Sequence, residues 1–243
     1  MDFTKTPCYI KVNICCKGVV LGKRLVFYVG RINHMDTMKK TRFLAQFAIL
    51  AAIEAIVCFT PLGSLPPIGP VVATLSHIPV IITAILLGTR AGMSMGFLFG
   101  LFSFIIWTFA PPSPIAFVFT PFYSLGEFQG NIWSIIICFV PRILIGFVAG
   151  TSYKALSGKT SSSVLLYGAS GVLGSLTNTF LVLAGIYFFF GRDYASAAGF
   201  SYSLLLGIIG TTILTSGIPE AFLGGLTAYA VCRPLKSDLA NRP

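Results

Sequence analysis

The sequence predicts an all-α membrane protein of six transmembrane helices, with its N- and C-termini cytoplasmic. Three observations predict it. Hydrophobic residues make up 55% of the 243 residues and charged ones only 10%, with a mean hydropathy of +0.86. A soluble domain carries about 25% charged residues, so the polar surface here is too small to coat a globule in water. Six stretches also reach the roughly 20 apolar residues that cross about 30 Å of hydrocarbon: residues 42–60, 69–88, 91–109, 132–153, 163–190 and 202–231. Finally, the loop cations segregate. An inner N-terminus places Lys39, Lys40, Arg42, Arg90, Lys154, Lys159, Arg233 and Lys236 inside and only Arg192 outside. Such a bias sets orientation.

Charge is uneven as well as scarce. Residues 1–42 hold nine Lys/Arg and two Asp, most of the net +10. That suits the anionic headgroups of a cytoplasmic leaflet, with the lipid bilayer as partner and no nucleic acid. Residues 1–37 have no clear amphipathic period, no span, and no apolar stretch of the kind a secretory signal needs. They read as a basic N-terminal extension, either disordered or the product of an upstream start, since Met35 and Met38 each precede a basic flank. Residues 38–236 form the membrane domain and 237–243 a cytoplasmic tail. The six cysteines match no zinc or haem spacing; in apolar spans they read as small apolar residues.

Span one contains FLAQFAILAAIEAIVCF, in which Ala48 and Ala52, and Ala51 and Ala55, are four apart. Small residues at that spacing let two backbones approach closely in lipid, within the chain or against a partner. Gly92, Gly96 and Gly100 repeat the pattern in span three. The last two spans are long, and are expected to be tilted, broken or extended past the membrane.

The outer connections, residues 60–70 and 110–131, are rich in Pro, Gly and aromatics. Proline lacks the N–H that a regular helix needs, so both must be irregular yet rigid. They read as lids over an outward-facing cavity, with Pro66, Pro67, Phe119 and Tyr123 in them, or else as loops lying flat in the interface. Trp107 and Trp133 flank these loops, where interfacial anchoring is the default role.

Within the spans the ionisable residues are Glu54, His77, Arg142 and Glu220. Each is costly in hydrocarbon and belongs on the bundle interior, a partner or water. At 1.5 Å rise per residue, Arg142 lies roughly 15 Å and Glu54 roughly 9 Å below the outer ends of their spans. A Glu54–Arg142 pair is therefore within reach, as is an interhelical hydrogen bond for either carboxylate. His77 fits a hydrogen-bonded bundle histidine or a ligand contact, and Asn178 reaches a ligand or a neighbouring helix. No hydrolase, zinc-protease, P-loop or acidic metal motif is present. The expectation is therefore a protein that is not an enzyme, with no metal site and no cofactor. Uphill transport would draw on separate chains or an ion gradient.

Several stretches together resemble the substrate-binding S components of energy-coupling factor (ECF) vitamin transporters. They are the Ala-rich first span, LPPIGPVVATLSHIPVIITAILLGTRAG (65–92) with GFLFGLFS after it, FVFTPF (117–122), VPRILIG (140–146), LTNTFLVLAGIYF (176–188) and GIPEAF (217–222). The resemblance covers residues 40–233. It implies an S-component-like bundle with a solute pocket under the first and third outer connections. It also implies an ECF transmembrane coupling subunit packed on Ala48, Ala52 and Ala55, and two cytoplasmic ATPases that drive transport in a prokaryotic plasma membrane. SHIPVII and FVFTPF are nearest to the pantothenate-type branch. On that basis the expected substrate-binding residues are His77, Trp133, Arg142, Asn178, Tyr123 and Phe119, with Arg142 holding a carboxylate. The alternative is a stand-alone secondary transporter coupled to protons through Glu54 or Glu220. A third class, a membrane-embedded enzyme or assembly factor, predicts that no small solute accompanies the purified protein.

Overall fold

The computed structural model describes residues 24–60 and 75–240. The expectations placed on residues 1–23, on Pro66 and Pro67 and on the start of the second span lie outside the described residues. The chain divides into two compact units, Met1–Arg42 and Phe43–Pro243. The second contains the core clusters and the cavity described below.

The described residues are almost entirely helical. Helix α1 runs Arg24–Phe59, α2 Ile78–Leu87, α3 Thr89–Phe109 and α4 Ile132–Ser157. Helix α5, Ala169–Ala197, follows a π turn at Val164–Gly168. The last apolar segment is α6, Leu205–Thr212, then a π turn at Ile213–Gly217, then α7, Ile218–Ala240. Among the described residues, five segments are long and apolar enough to cross a membrane: Lys40–Phe59, Thr89–Phe109, Ile132–Ser157, Val164–Ala197 and Tyr202–Lys236. Helix α2, at 10 residues, is shorter than a span.

Local chemistry explains these boundaries. Pro79 sits in the first turn of α2, where its missing N–H costs nothing. Gly88 joins α2 to α3 with φ of 97°, a conformation open to glycine. Asn131 caps α4: its side chain accepts from the Trp133 N–H at 2.9 Å, and the Asn131 N–H donates to Ser134 Oγ at 3.1 Å. The last span is continuous and long rather than broken: a π turn at Ile213–Gly217 lies just before Pro219, whose missing N–H withholds one ladder hydrogen bond, and the helix runs on through it.

Helix α3 packs along α4, α4 along α5, and α5 along α7, while α2 lies against α3, α4 and α7. The glycine stripe of α3 supplies the first contact. A Cβ on Gly96 would run into the backbone carbonyl of Arg142, and Gly92 faces the backbone of Gly146. Small residues here serve contact within the chain. On α1, Ala51 packs on the core, Ala48 and Ala52 are exposed, and Ala55 is half-buried.

Residues 110–131 form a built cap. A 3-10 turn at Pro114–Val118 leads to a two-strand hairpin, β1 Ser124–Leu125 with β2 Phe128–Gln129, turned at Gly126. The hairpin departs from the irregular loop expected: Gly126 permits the tight turn, and apolar partners on both strands fix it. Ser134 Oγ donates to the Phe117 carbonyl at 2.7 Å and ties the cap to the first turn of α4.

Candidate binding cavity

The core has two clusters. One gathers α2, Met95 and Phe99 of α3, and Ile145 of α4. The other gathers Ile115, Phe117 and Phe119 of the cap, Ile137 of α4, and Val182, Leu183 and Ile186 of α5. Where they meet lies a cavity of about 220 Å³.

Each wall is one helical face. Phe99, Ser103, Ile106 and Trp107 come from α3 at spacings of four, seven and eight. Asn178 and Val182, and Thr179, Leu183 and Ile186, come from α5 at spacings of three and four. Thr212, Ser216 and Glu220 come from the last span, on either side of and within its π turn. Cys58 closes one side from α1 and Phe119 the top. Aliphatic and aromatic groups dominate, with a few polar atoms placed among them, as small-molecule sites are built.

Arg142 is the cation of this cavity and only 7% exposed. Its guanidinium donates to the Ile137 carbonyl at 2.8 Å. Ile137 stands four residues before Pro141, so that carbonyl has lost its helical donor. The same guanidinium lies 5.4 Å from the Phe119 ring centre and 5.7 Å from that of Phe99. Phe119 in turn stacks on Trp107 at 4.6 Å. Cation–π contact of this kind gains strength when desolvated. The charge is thus aimed and shielded, yet Arg142 Nε has no hydrogen-bond partner among the described residues.

Two more buried polar atoms on the lining are in the same condition, Asn178 Oδ1 and Ser216 Oγ. Buried groups without partners cost about 1–3 kcal/mol each. These three atoms, on α4, on α5 and in the π turn before α7, stand around one cavity. Thr179 Oγ1 donates to Glu220 Oε2 at 3.5 Å and to the Ser175 carbonyl at 3.4 Å, both long.

The sequence-predicted residues separate into two groups. Arg142, Asn178 and Phe119 line the cavity. His77 lies behind it, fully buried, with Nε2 2.8 Å from Ser175 Oγ on α5. Trp133 is 41% exposed at the head of α4 and stacks on Phe189 at 4.1 Å. Tyr123 is half-buried against the outer core cluster. Neither it nor Trp133 lines the cavity.

Among the described residues no ion pair joins Glu54 to Arg142. Glu54 Oε1 accepts from Cys58 Sγ at 3.3 Å, Oε2 has no partner, and Arg142 is turned to Ile137. Sequence reasoning did not assign Trp107, Phe99 or Ser216 to the site. Their signal is the periodic stripe that each makes with its cavity-lining neighbours.

This helical membrane bundle, with a polar-flecked cavity beneath a built cap, is a member of a known class of transport proteins. Residues 42–232 match the family described as ECF transporter, substrate-specific component, and the chain belongs to that family. It is also similar to the pantothenic acid transporter PanT of Lactococcus lactis subsp. cremoris (strain MG1363), with 38% identity over 209 residues. That alignment spans 84% of this chain and 100% of the relative.

Proposed function

We propose that this protein is the high-affinity pantothenate-binding S component of an ECF-type importer. The observation that carries the reading is Arg142: a buried guanidinium, aimed by Ile137 and two aromatic rings, with a nitrogen left over for a ligand. A carboxylate is the natural partner for such a fork. Asn178, Thr179 and Ser216 supply the polar atoms for amide and hydroxyl groups, while Phe119 and Trp107 exclude water. The similarity to PanT supports pantothenate, a solute with a carboxylate, an amide and hydroxyls.

In this reading six spans place both termini in the cytoplasm of a prokaryotic cell, the second span comprising α2 and the residues before it. Arg90 opens α3, Lys154 closes α4, and Arg233 and Lys236 lie late in α7, all at helix ends away from the cap. The cavity then faces outward. Exposed Ala48 and Ala52, with Ala55, form the face for the transmembrane coupling subunit, and two ATPases on separate chains supply the energy.

The test is ligand identification by mass spectrometry on the purified protein, followed by calorimetric titration with pantothenate. The expected result is pantothenate bound one to one. A neutral ring compound in its place overturns the carboxylate role of Arg142. Uptake into liposomes by the purified chain alone, driven by a proton gradient, favours the secondary-transporter alternative through Glu54 or Glu220.

A further inference from the structure

Helix α1 is held unlike the other spans. Only 6% of its apolar window is buried, against 33–44% in the other four. From Lys40 to Phe59 the one fully buried side chain is Glu54, while Ile49, Ile53 and Ile56 face outward. Phe47, Leu50, Ala51 and Cys58 rest part-buried on the core. Yet the outer end of this thinly packed helix is cavity wall, formed by Val57, Cys58 and the following Thr60. Apolar contact does little to keep such a helix in place, because lipid tails are as apolar as its own side chains.

A carboxyl is costly to bury, and an apolar residue would fill the same place at less cost. What Glu54 supplies is an acceptor. Cys58, one turn on, donates its thiol proton to Glu54 Oε1 at 3.3 Å. A thiol has one proton, so Cys58 meets the Ser76 hydroxyl as acceptor. The hydrogen bonds therefore run from Ser76 to Cys58 to Glu54, and join the residues before α2 to α1. Ser76 also lines the cavity, and its neighbour His77 is held to α5 through Ser175 at 2.8 Å. Glu54 itself stands outside the lining.

We infer that Glu54 is a positioning residue, which acts through Cys58 and Ser76 to hold the outer end of α1 in place as a wall of the solute cavity. The inference rests on the reading of this cavity as the pantothenate site and goes beyond it. A solute in the cavity meets Cys58 and Ser76, so its binding and the docking of α1 stabilise each other. Coupling of this kind is reciprocal: the factor by which solute tightens α1 is the factor by which a loosened α1 weakens solute.

The experiment compares wild type, Glu54→Leu and Glu54→Gln as full chains in detergent. Calorimetric titration reads pantothenate affinity, and hydrogen exchange of residues 55–60 reads the docking of α1. Leucine suits a buried site in lipid, so thermal unfolding of Glu54→Leu is expected to stay near that of wild type. Its pantothenate affinity is expected to fall about tenfold, within the usual range of coupling between sites. Glutamine keeps an oxygen for the Cys58 thiol and is expected to restore affinity to within about threefold of wild type. Without solute, exchange at 55–60 is expected to be faster in Glu54→Leu than in wild type, and pantothenate is expected to slow it in wild type. Full affinity in Glu54→Leu overturns the inference, as does Glu54→Gln binding no better than Glu54→Leu. So does wild-type exchange at 55–60 that is unchanged by bound pantothenate, a measurement that depends on no variant. If wild type binds no pantothenate, the pantothenate reading falls, and the solute-free proteins decide this inference alone: equal exchange at 55–60 in wild type and Glu54→Leu overturns it.

Discussion

The guanidinium of Arg142 donates to the carbonyl of Ile137, 2.8 Å away on its own helix. Pro141 creates that acceptor by withholding the backbone N–H that would otherwise fill it. One proline thus turns a flexible cationic side chain back along α4 and fixes where its charge lies. Pro141→Ala restores the backbone donor and makes it compete with the guanidinium. Pantothenate affinity is expected to fall by about 3- to 10-fold, the cost of ordering one long side chain on binding. Thermal stability should hold or rise. Unchanged affinity in calorimetry would show that Ile137 does not preorganise Arg142.

Arg142→Met removes the buried charge and should weaken pantothenate binding by about 2–5 kcal/mol. Arg142→Lys keeps the charge without the planar fork and is expected to fall between Met and wild type. Binding by Arg142→Met within a factor of three of wild type would remove the carboxylate role from this residue.

His77 lies behind the wall rather than on it, and acts through Ser175, one turn before Asn178 and Thr179. His77→Ala strands Ser175 in the core and should cost about 1–3 kcal/mol of stability. Thermal unfolding in detergent is expected to shift down while affinity at low temperature changes less than for Arg142→Met. A collapse of affinity with unfolding unaltered would place the imidazole against the ligand instead.

The two tryptophans give separate optical reports. Trp107 lines the cavity and stacks on Phe119, whereas Trp133 stacks on Phe189 outside it. Ligand addition is expected to change the fluorescence of Trp133→Phe, which keeps Trp107, and to leave Trp107→Phe unresponsive. The reverse pattern would put the solute near the head of α4.

Gly96 touches the backbone of Arg142, so a side chain there must push α3 from α4. Gly96→Ala is expected to destabilise by about 1–3 kcal/mol, as overpacked contacts do. It should also reduce pantothenate affinity, because Arg142 moves with α4. A stable variant with full affinity would show that the two helices separate without disturbing the site.

Much of this protein was legible before folding. The bundle follows from apolar spans and scarce charge, and Arg142 and Asn178 stand out because polar groups in lipid need an interior to face. The length of the last span was legible too, and its π turn lies beside Gly217 and Pro219. Other features were hidden. Trp107 reads as an interfacial anchor until Phe119 folds back onto it, and His77 reads equally as ligand or packing until Ser175 is seen at 2.8 Å. Cap residues are poorly served by periodicity, since their places depend on contacts such as Ser134 with Phe117.

By itself the sequence determined the solvent in which this chain folds, the positions of its main apolar segments and the small number of charges they must hide. Those properties follow from local composition and from the cost of exposing polar groups to hydrocarbon. Only the tertiary structure decided that Arg142 and Glu220 share one cavity while Glu54 and His77 stand outside its lining. The reason is rotational. A span's length says that it crosses the bilayer, but which face looks inward is set by interlocking partners such as Gly96 against Arg142, and those partners lie far apart along the chain.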